Sequence, residues 1–314
     1  MTTSSWQPAR VPRQFTLQNL RGMRVTISEH GAAMVSWWAP DRYGRMADVL
    51  LGYPEDSDYA HNTACLGAVV NRDSGAPRLH AMHWRGELDV GGASLRLRPA
   101  DQYGMGAGLA EMEVRYDLDE EGCLTIGYHV VADSPALVNL STHACFNLNG
   151  GQADVGDHML QIDADRFLAI DAGGTLRDME VSGTPFDFRR PAPIGPRLHW
   201  PHDQIGVAGG FDHAYQLGTG AGTGIARPVA TIHDPGSGRR LQVSTTGTDL
   251  HFYSGNRLDG VNGRGPAAYG RHAGFCLASS ASRVQRDGAR APGMLLGPGE
   301  TYRHTTVYRV SVQP

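Results

Sequence analysis

Two residues of this chain are well suited to move protons. One is His143, within Leu137-Val-Asn-Leu-Ser-Thr-His143-Ala-Cys-Phe-Asn-Leu-Asn-Gly150; the other is Asp212, within Gly210-Phe211-Asp212-His213. An imidazole titrates near neutrality and a carboxylate can be tuned toward it, so such a pair can act as general acid and general base. Asn71-Arg72, after the apolar run Leu66-Gly-Ala-Val-Val70, offers planar donors and acceptors of the kind that orient hydroxyl groups. His80 and His83 follow a few residues later. Each position also has a plainer reading. A histidine at a strand end can satisfy itself on a backbone carbonyl, a turn aspartate can cap its own backbone, and Asn-Arg is a commonplace strand ending. A nucleophile triad could be assembled from Ser141, His143 and Asp212, but no G-x-S-x-G elbow supports it. His80-x-x-His83 has no third metal ligand signalled nearby.

The elements that must position these residues are strands. Phe15-Thr-Leu-Gln, Met23-Arg-Val-Thr-Ile, Met112-Glu-Val-Arg-Tyr-Asp-Leu118, Leu124-Thr-Ile-Gly-Tyr-His-Val130 and Thr305-Thr-Val-Tyr-Arg-Val-Ser-Val312 all alternate with period two. Turn signals separate such runs, among them Asp119-Glu-Glu-Gly122, Asp171-Ala-Gly-Gly174, Asp234-Pro-Gly-Ser-Gly238 and Pro298-Gly299. No segment keeps an apolar helical stripe. The pattern predicts an all-β, large antiparallel sandwich in a single domain spanning 1–314, with 1–14 a flexible N-terminal segment. Thr219-Gly-Ala-Gly-Thr-Gly224 reads as a hairpin loop rather than a nucleotide motif, and the pairs Arg189-Arg190 and Arg239-Arg240 read as solvated.

Composition excludes whole classes of chemistry. All 28 basic residues are arginine, which rules out a lysine Schiff base, pyridoxal phosphate held on lysine and the lysine of a phosphate-binding loop. A net charge of −4 leaves no electrostatic footprint for nucleic acid. The four cysteines, Cys65, Cys123, Cys145 and Cys276, form no C-x-x-C pair, so neither a zinc site nor a redox motif is expected. There is no signal-like N-terminal run and no membrane-length apolar stretch, and free thiols suit a reducing compartment, so a cytoplasmic location is expected. No cofactor and no metal are expected, and the partner is a small molecule rather than nucleic acid or membrane, met by a monomer or homodimer.

The strings around His143 and Asp212, with Asn71-Arg72 and Tyr253-Ser-Gly-Asn256-Arg-Leu-Asp-Gly260, resemble landmarks of the aldose 1-epimerases (galactose mutarotases) over nearly the whole chain. The resemblance implies a galactose mutarotase-like β-supersandwich. It implies His143 as general acid toward a sugar ring oxygen, Asp212 as an acceptor from substrate hydroxyls, and Asn71 and Arg72 as substrate contacts. His80, in Leu79-His80-Ala81-Met82, would be the remnant of a second active-site histidine whose following glycines are missing; His83 is an alternative to it. The family places a catalytic glutamate in a Cys-Leu-Glu-x-Gln run, whereas this chain reads Cys276-Leu277-Ala278-Ser279-Ser280. Ala278 therefore takes the glutamate position. Glu300 falls in what the family uses as a structural turn, so the substitute base would be Asp212, a neighbouring histidine or a group on the substrate. Two readings follow: an isomerase working on a cyclic hemiacetal or related oxygen heterocycle, a simple aldose or a specialised-metabolite intermediate, or a sugar-binding pseudoenzyme.

Overall fold

The computed structural model describes residues 12–72, 78–101, 108–170, 176–218, 224–265, 267–281 and 295–313. Along Cys123–Ala132 every second residue is buried, so Leu124, Ile126, Tyr128, Val130 and Ala132 make one core face. Leu109–Leu118 and Thr301–Val312 repeat that alternation, and both pair antiparallel with Cys123–Ala132. Between the first two of these strands, the Asp119 carboxylate accepts from the backbone N–H groups of Glu121 and Cys123 at 2.9 and 2.8 Å. Gly122 completes the turn at φ 75°, a conformation that costs glycine little.

These strands belong to a nine-stranded sheet ordered Ala192–Pro193, Met159–Ile162, Arg227–His233, Arg239–Thr245, Thr301–Val312, Cys123–Ala132, Leu109–Leu118, Ser94–Pro99 and Trp84–Leu88. A five-stranded antiparallel sheet runs Leu176–Glu180, Arg166–Ile170, Asp212–Gln216, Asp249–Tyr253 and Cys276–Ser280. Cys276–Ser280 is hidden on both faces. On one side the Tyr308 hydroxyl donates to the Leu277 carbonyl at 2.7 Å, and Ser279 Oγ meets Thr306 Oγ1 at 2.6 Å and His304 Nε2 at 3.0 Å, so the two sheets close over a common core. Aromatic rings fill that core: Phe167 stacks on Phe186 at 4.0 Å, and Phe211 contacts Phe252 at 5.0 Å. Each such buried ring contributes about 1.5–3 kcal/mol. A ribbon of Val69–Asn71 with Leu140–Thr142 and a four-stranded sheet beginning at Gln14–Gln18 belong to the antiparallel sandwich that alternation predicts and the supersandwich that the resemblance implies.

Among the described residues helices are short pieces such as Asp203–Ala208, and none is long and apolar enough to cross a membrane. Two expectations need correction. Residues 1–11 lie outside the described part, but Arg13 is pinned to Glu29 through its backbone N–H at 2.9 Å and Gln14 already opens a strand, so any loose segment stops before them. Arg239 is not solvated. It is 3% exposed, and its Nε, Nη1 and Nη2 donate to the carbonyls of Ala39, Leu148 and Arg45 at 3.2, 2.9 and 3.0 Å. A rigid five-donor fork can satisfy three carbonyls from different segments at once, which is what allows a cation here. Arg189 and Arg190 are exposed as expected. The turn at Asp171–Gly174 and most of the Gly-rich run 219–224 fall outside the described residues.

Candidate active site

Strand alternation sorts the Asp212-His213 pair onto opposite faces. His213 points into the core, 4.7 Å from the Phe186 ring, with Nε2 3.2 Å from Gln204 Oε1 and Nδ1 accepting from the Asp212 backbone N–H at 3.0 Å. Burial holds its imidazole neutral, down to about 4, and it serves the fold. Asp212 turns to the other face. The strand's start is fixed from below: Asn256 Nδ2 donates to the carbonyls of Ala208 and Phe211 at 3.0 Å each. Gly210 sits at φ 144°, where an added Cβ would come within 2.2 Å of Asn256 Oδ1, so only glycine fits. The Gly210-Phe211 and Asn256 landmarks are thus scaffolding for Asp212.

The Asp212 carboxylate receives a hydrogen bond from a residue that the sequence did not single out. His251 Nε2 lies 2.7 Å from Asp212 Oδ1. Register explains the meeting: Asp212 pairs with Tyr253 and Ala214 with His251, so Asp212 and His251 are diagonal neighbours on one face. On its other side, His251 stands directly opposite Ala278. Burial draws the His251 imidazole down to about 3, the Arg72 charge adds to this, and Asp212 opposes it. Burial pushes the Asp212 carboxyl up, but the His251 hydrogen bond and the charges of His251 and Arg72 outweigh it, leaving it below its usual range. At neutral pH the pair is therefore a carboxylate and a neutral imidazole. The Nε2–H then donates to Asp212, which leaves the Nδ1 lone pair of His251 as the acceptor.

His143 follows the Leu140–Thr142 strand, its backbone held by bonds to Ala68 and Gly67 of 2.8 and 2.9 Å. Its ring lies 5.7 Å from the Tyr253 ring, and its Nε2 is 3.7 Å from Cys276 Sγ. His143 Nε2, Cys145 Sγ and Cys276 Sγ cluster so that such ligand atoms all fall within 4.8 Å of one another. The hydrogen bond with Cys276 draws the Cys145 thiol down against the effect of burial, while burial pushes Cys276 up. Arg72 belongs to the same region, since its charge acts on Asp212, His251 and Cys276. His143 acts on His251 in the same way.

The remaining candidates make other contacts or are spent on structure. Asn71 uses its side chain on the backbone, accepting from Asn139 N at 3.0 Å and donating to the Leu137 carbonyl at 3.1 Å. His80 lies on the short Leu79–Ala81 turn of helix, where burial and the Arg78 charge lower it. His83 sits 3.5 Å from Glu29 and 6.3 Å from the His30 ring. Glu300 caps its own turn, accepting from Gly297 N at 2.7 Å. A cavity of about 670 Å³ lies elsewhere, lined by residues including Asp48, Asn147, Arg264 and Tyr269, and none of His143, Asp212, Arg72 or His251 borders it.

The family model described as Aldose 1-epimerase matches residues 13–77 and 80–309. Among curated relatives, galactose mutarotase of Bos taurus is 33% identical, with 95% of this chain and 94% of the relative covered. Aldose 1-epimerase of Escherichia coli K12 is 31% identical over the same shares of the two chains. In three dimensions the chain is similar to a GalM/aldose epimerase homologue from C. elegans, with a TM-score of 0.83, 20% identity and coverage of 97% and 100%. A galactose 1-epimerase from Lactobacillus acidophilus gives a TM-score of 0.79 at 23% identity, with coverage of 100% and 98%.

Proposed function

The chain belongs to the aldose 1-epimerase family, and from that premise we propose that it interconverts the anomers of a sugar or sugar-like cyclic hemiacetal by acid/base catalysis. His143 protonates the ring oxygen while the Asp212–His251 pair takes the proton of the anomeric hydroxyl. The bond between the anomeric carbon and the ring oxygen breaks, the resulting carbonyl turns its other face, and the same groups in reversed roles close the ring. Asp212 orients the imidazole, raises its basicity against the burial and the Arg72 charge that hold it low, and balances the charge that develops as His251 Nδ1 accepts the proton. Arg72 contributes a hydroxyl contact to the substrate. His80, on the turn of helix that packs near Ala68, supplies a further contact to the substrate.

The observation that supports this reading is the place of His251. An imidazole stands directly opposite Ala278, hydrogen-bonded to the carboxylate of Asp212, at the position where the resemblance implies the family's glutamate. We read residues 1–314 as one domain, which the nearly continuous family match supports. A reducing, cytoplasmic setting fits its four free thiols.

The experiment is NMR exchange between the α and β anomers of glucose, galactose and related aldoses, with wild-type protein and with His143→Ala. Acceleration that vanishes in His143→Ala supports catalysis. Ala278 itself favours one second reading, a sugar-binding protein without turnover. That protein would bind sugars in a titration, leave exchange at the uncatalysed rate, and show only an affinity change in His143→Ala. An enzyme specialised for another oxygen heterocycle would ignore the common aldoses and convert its own compound in a His143-dependent way.

A further inference from the structure

We propose that Cys145, Cys276 and His143 form a binding site for one thiophilic divalent ion of the zinc type, and that its occupation switches off the acid role of His143. The second half rests on the catalytic reading above; the first does not.

The argument begins with register. Phe146 and Phe275 exchange both backbone hydrogen bonds, at 2.7 and 2.9 Å, and form an antiparallel bridge. Cys145 and Cys276, one step along each strand, therefore face each other at a non-hydrogen-bonded position, where side chains approach most closely. His143, two residues before Cys145, brings its Nε2 to 3.7 Å from Cys276 Sγ. In a tetrahedral zinc site with bonds of about 2.3 Å to sulfur and about 2.0 Å to nitrogen, the nitrogen–sulfur edge is about 3.5 Å. The observed edge is already close to that, and the remaining separations within 4.8 Å close with small side-chain rotations.

Charge favours the same assignment. Both sulfurs are fully buried, and a buried dication would be costly unless neutralised. Two thiolates neutralise it, with the two thiol protons released to solvent. Three protein ligands leave a fourth position for water, the arrangement of an open rather than a closed site. Backbone bonds hold the ligands before any ion arrives: Leu51 N donates to the Cys145 carbonyl at 2.8 Å, Gly67 N donates to the His143 carbonyl at 2.9 Å, and Cys276 is paired with Tyr253. An ion on Nε2 occupies the lone pair through which that nitrogen carries and delivers a proton, so in loaded protein His143 no longer serves as the acid.

Co²⁺ titration of the reduced, metal-free protein provides the test. The expected result is one equivalent bound, with thiolate-to-cobalt charge-transfer bands and visible bands of tetrahedral strength that one equivalent of Zn²⁺ abolishes. Cys145→Ser and His143→Ala should each weaken binding more than about 100-fold, beyond what loss of a supporting contact costs. A Cys65→Ser/Cys123→Ser protein should keep the bands. Absence of charge-transfer bands in folded protein, or bands that persist in Cys145→Ser, would overturn the site. For the switch, one equivalent of Zn²⁺ should slow anomer exchange by about 10-fold or more, reversed by a chelator. Exchange that continues unchanged in zinc-loaded protein would overturn the switch. Protein that catalyses no exchange even without metal counts against the catalytic reading, whereas the cobalt bands still decide the site.

Discussion

If Asp212 works by orienting His251, removing either member should cost nearly as much as removing both. His251→Gln and Asp212→Asn are each expected to slow anomer exchange by about 10²–10⁴-fold, and the double variant little more, because groups that act as a unit are not additive. Saturation kinetics on the three proteins checks this; two losses that multiply would mean separate roles. Arg239 carries a prediction of a different kind. Arg239→Met strands the carbonyls of Ala39, Leu148 and Arg45, and should destabilise the protein by about 3–5 kcal/mol in a urea titration. Arg239→Lys should recover little, since one ammonium nitrogen cannot reach three carbonyls that the guanidinium meets with three separate nitrogens. At this scale the sequence was partly legible. His143 and Asp212 stood out because multi-residue strings surround them. His251 lies in Asp249-Leu-His-Phe-Tyr253, a run with no local mark of function, and its importance arises only from what stands beside it on the neighbouring strands.

Strand pairing converts two unremarkable residues into a coupled unit. Ala278 is fully buried and opposite His251, so a longer side chain at 278 must displace that imidazole. Ala278→Glu alone should destabilise the protein by about 1–3 kcal/mol through overpacking. Combined with His251→Ala, which returns volume to the same pocket, the cost should shrink, a positive coupling that thermal melts of the four proteins would measure. The alternation of Cys123–Ala132 and its partners could be read without a structure because period-two burial is written into side-chain order. The Cys145–Cys276 contact could not, because 130 intervening residues separate them, as their numbers show, and only the Phe146–Phe275 bridge sets their register. Arg239 was misread for a related reason: adjacent arginines on a strand face opposite ways, and which one faces inward depends on sheet packing.

Three histidines outside the candidate site tie the stability of the whole molecule to pH. His158, His213 and His304 are buried and held neutral, each drawn down to about 4, with burial the main cause in every case. In the unfolded chain they regain a pKa near about 6.5, so between about pH 6.5 and 4 the unfolded state binds more protons. Stability is therefore full above that window and falls as the solution is acidified through it, by about 1 kcal/mol per pH unit for each histidine. Urea midpoints at pH 7, 6 and 5 should decline steadily, and a midpoint that stays level would contradict this. His304→Gln, which can keep a hydrogen bond to Ser279, should reduce the slope. The supersandwich itself places these groups, because it closes around them from several sheets.

The pairing of Ala278 with His251 also sets a rule for redesign. Ala278 is fully buried and stands opposite His251, so the room available to either side chain is fixed by the other. A library that varies position 278 or position 251 alone samples only the side chains that fit beside the residue already there, and new pocket shapes are reached by varying the two codons together.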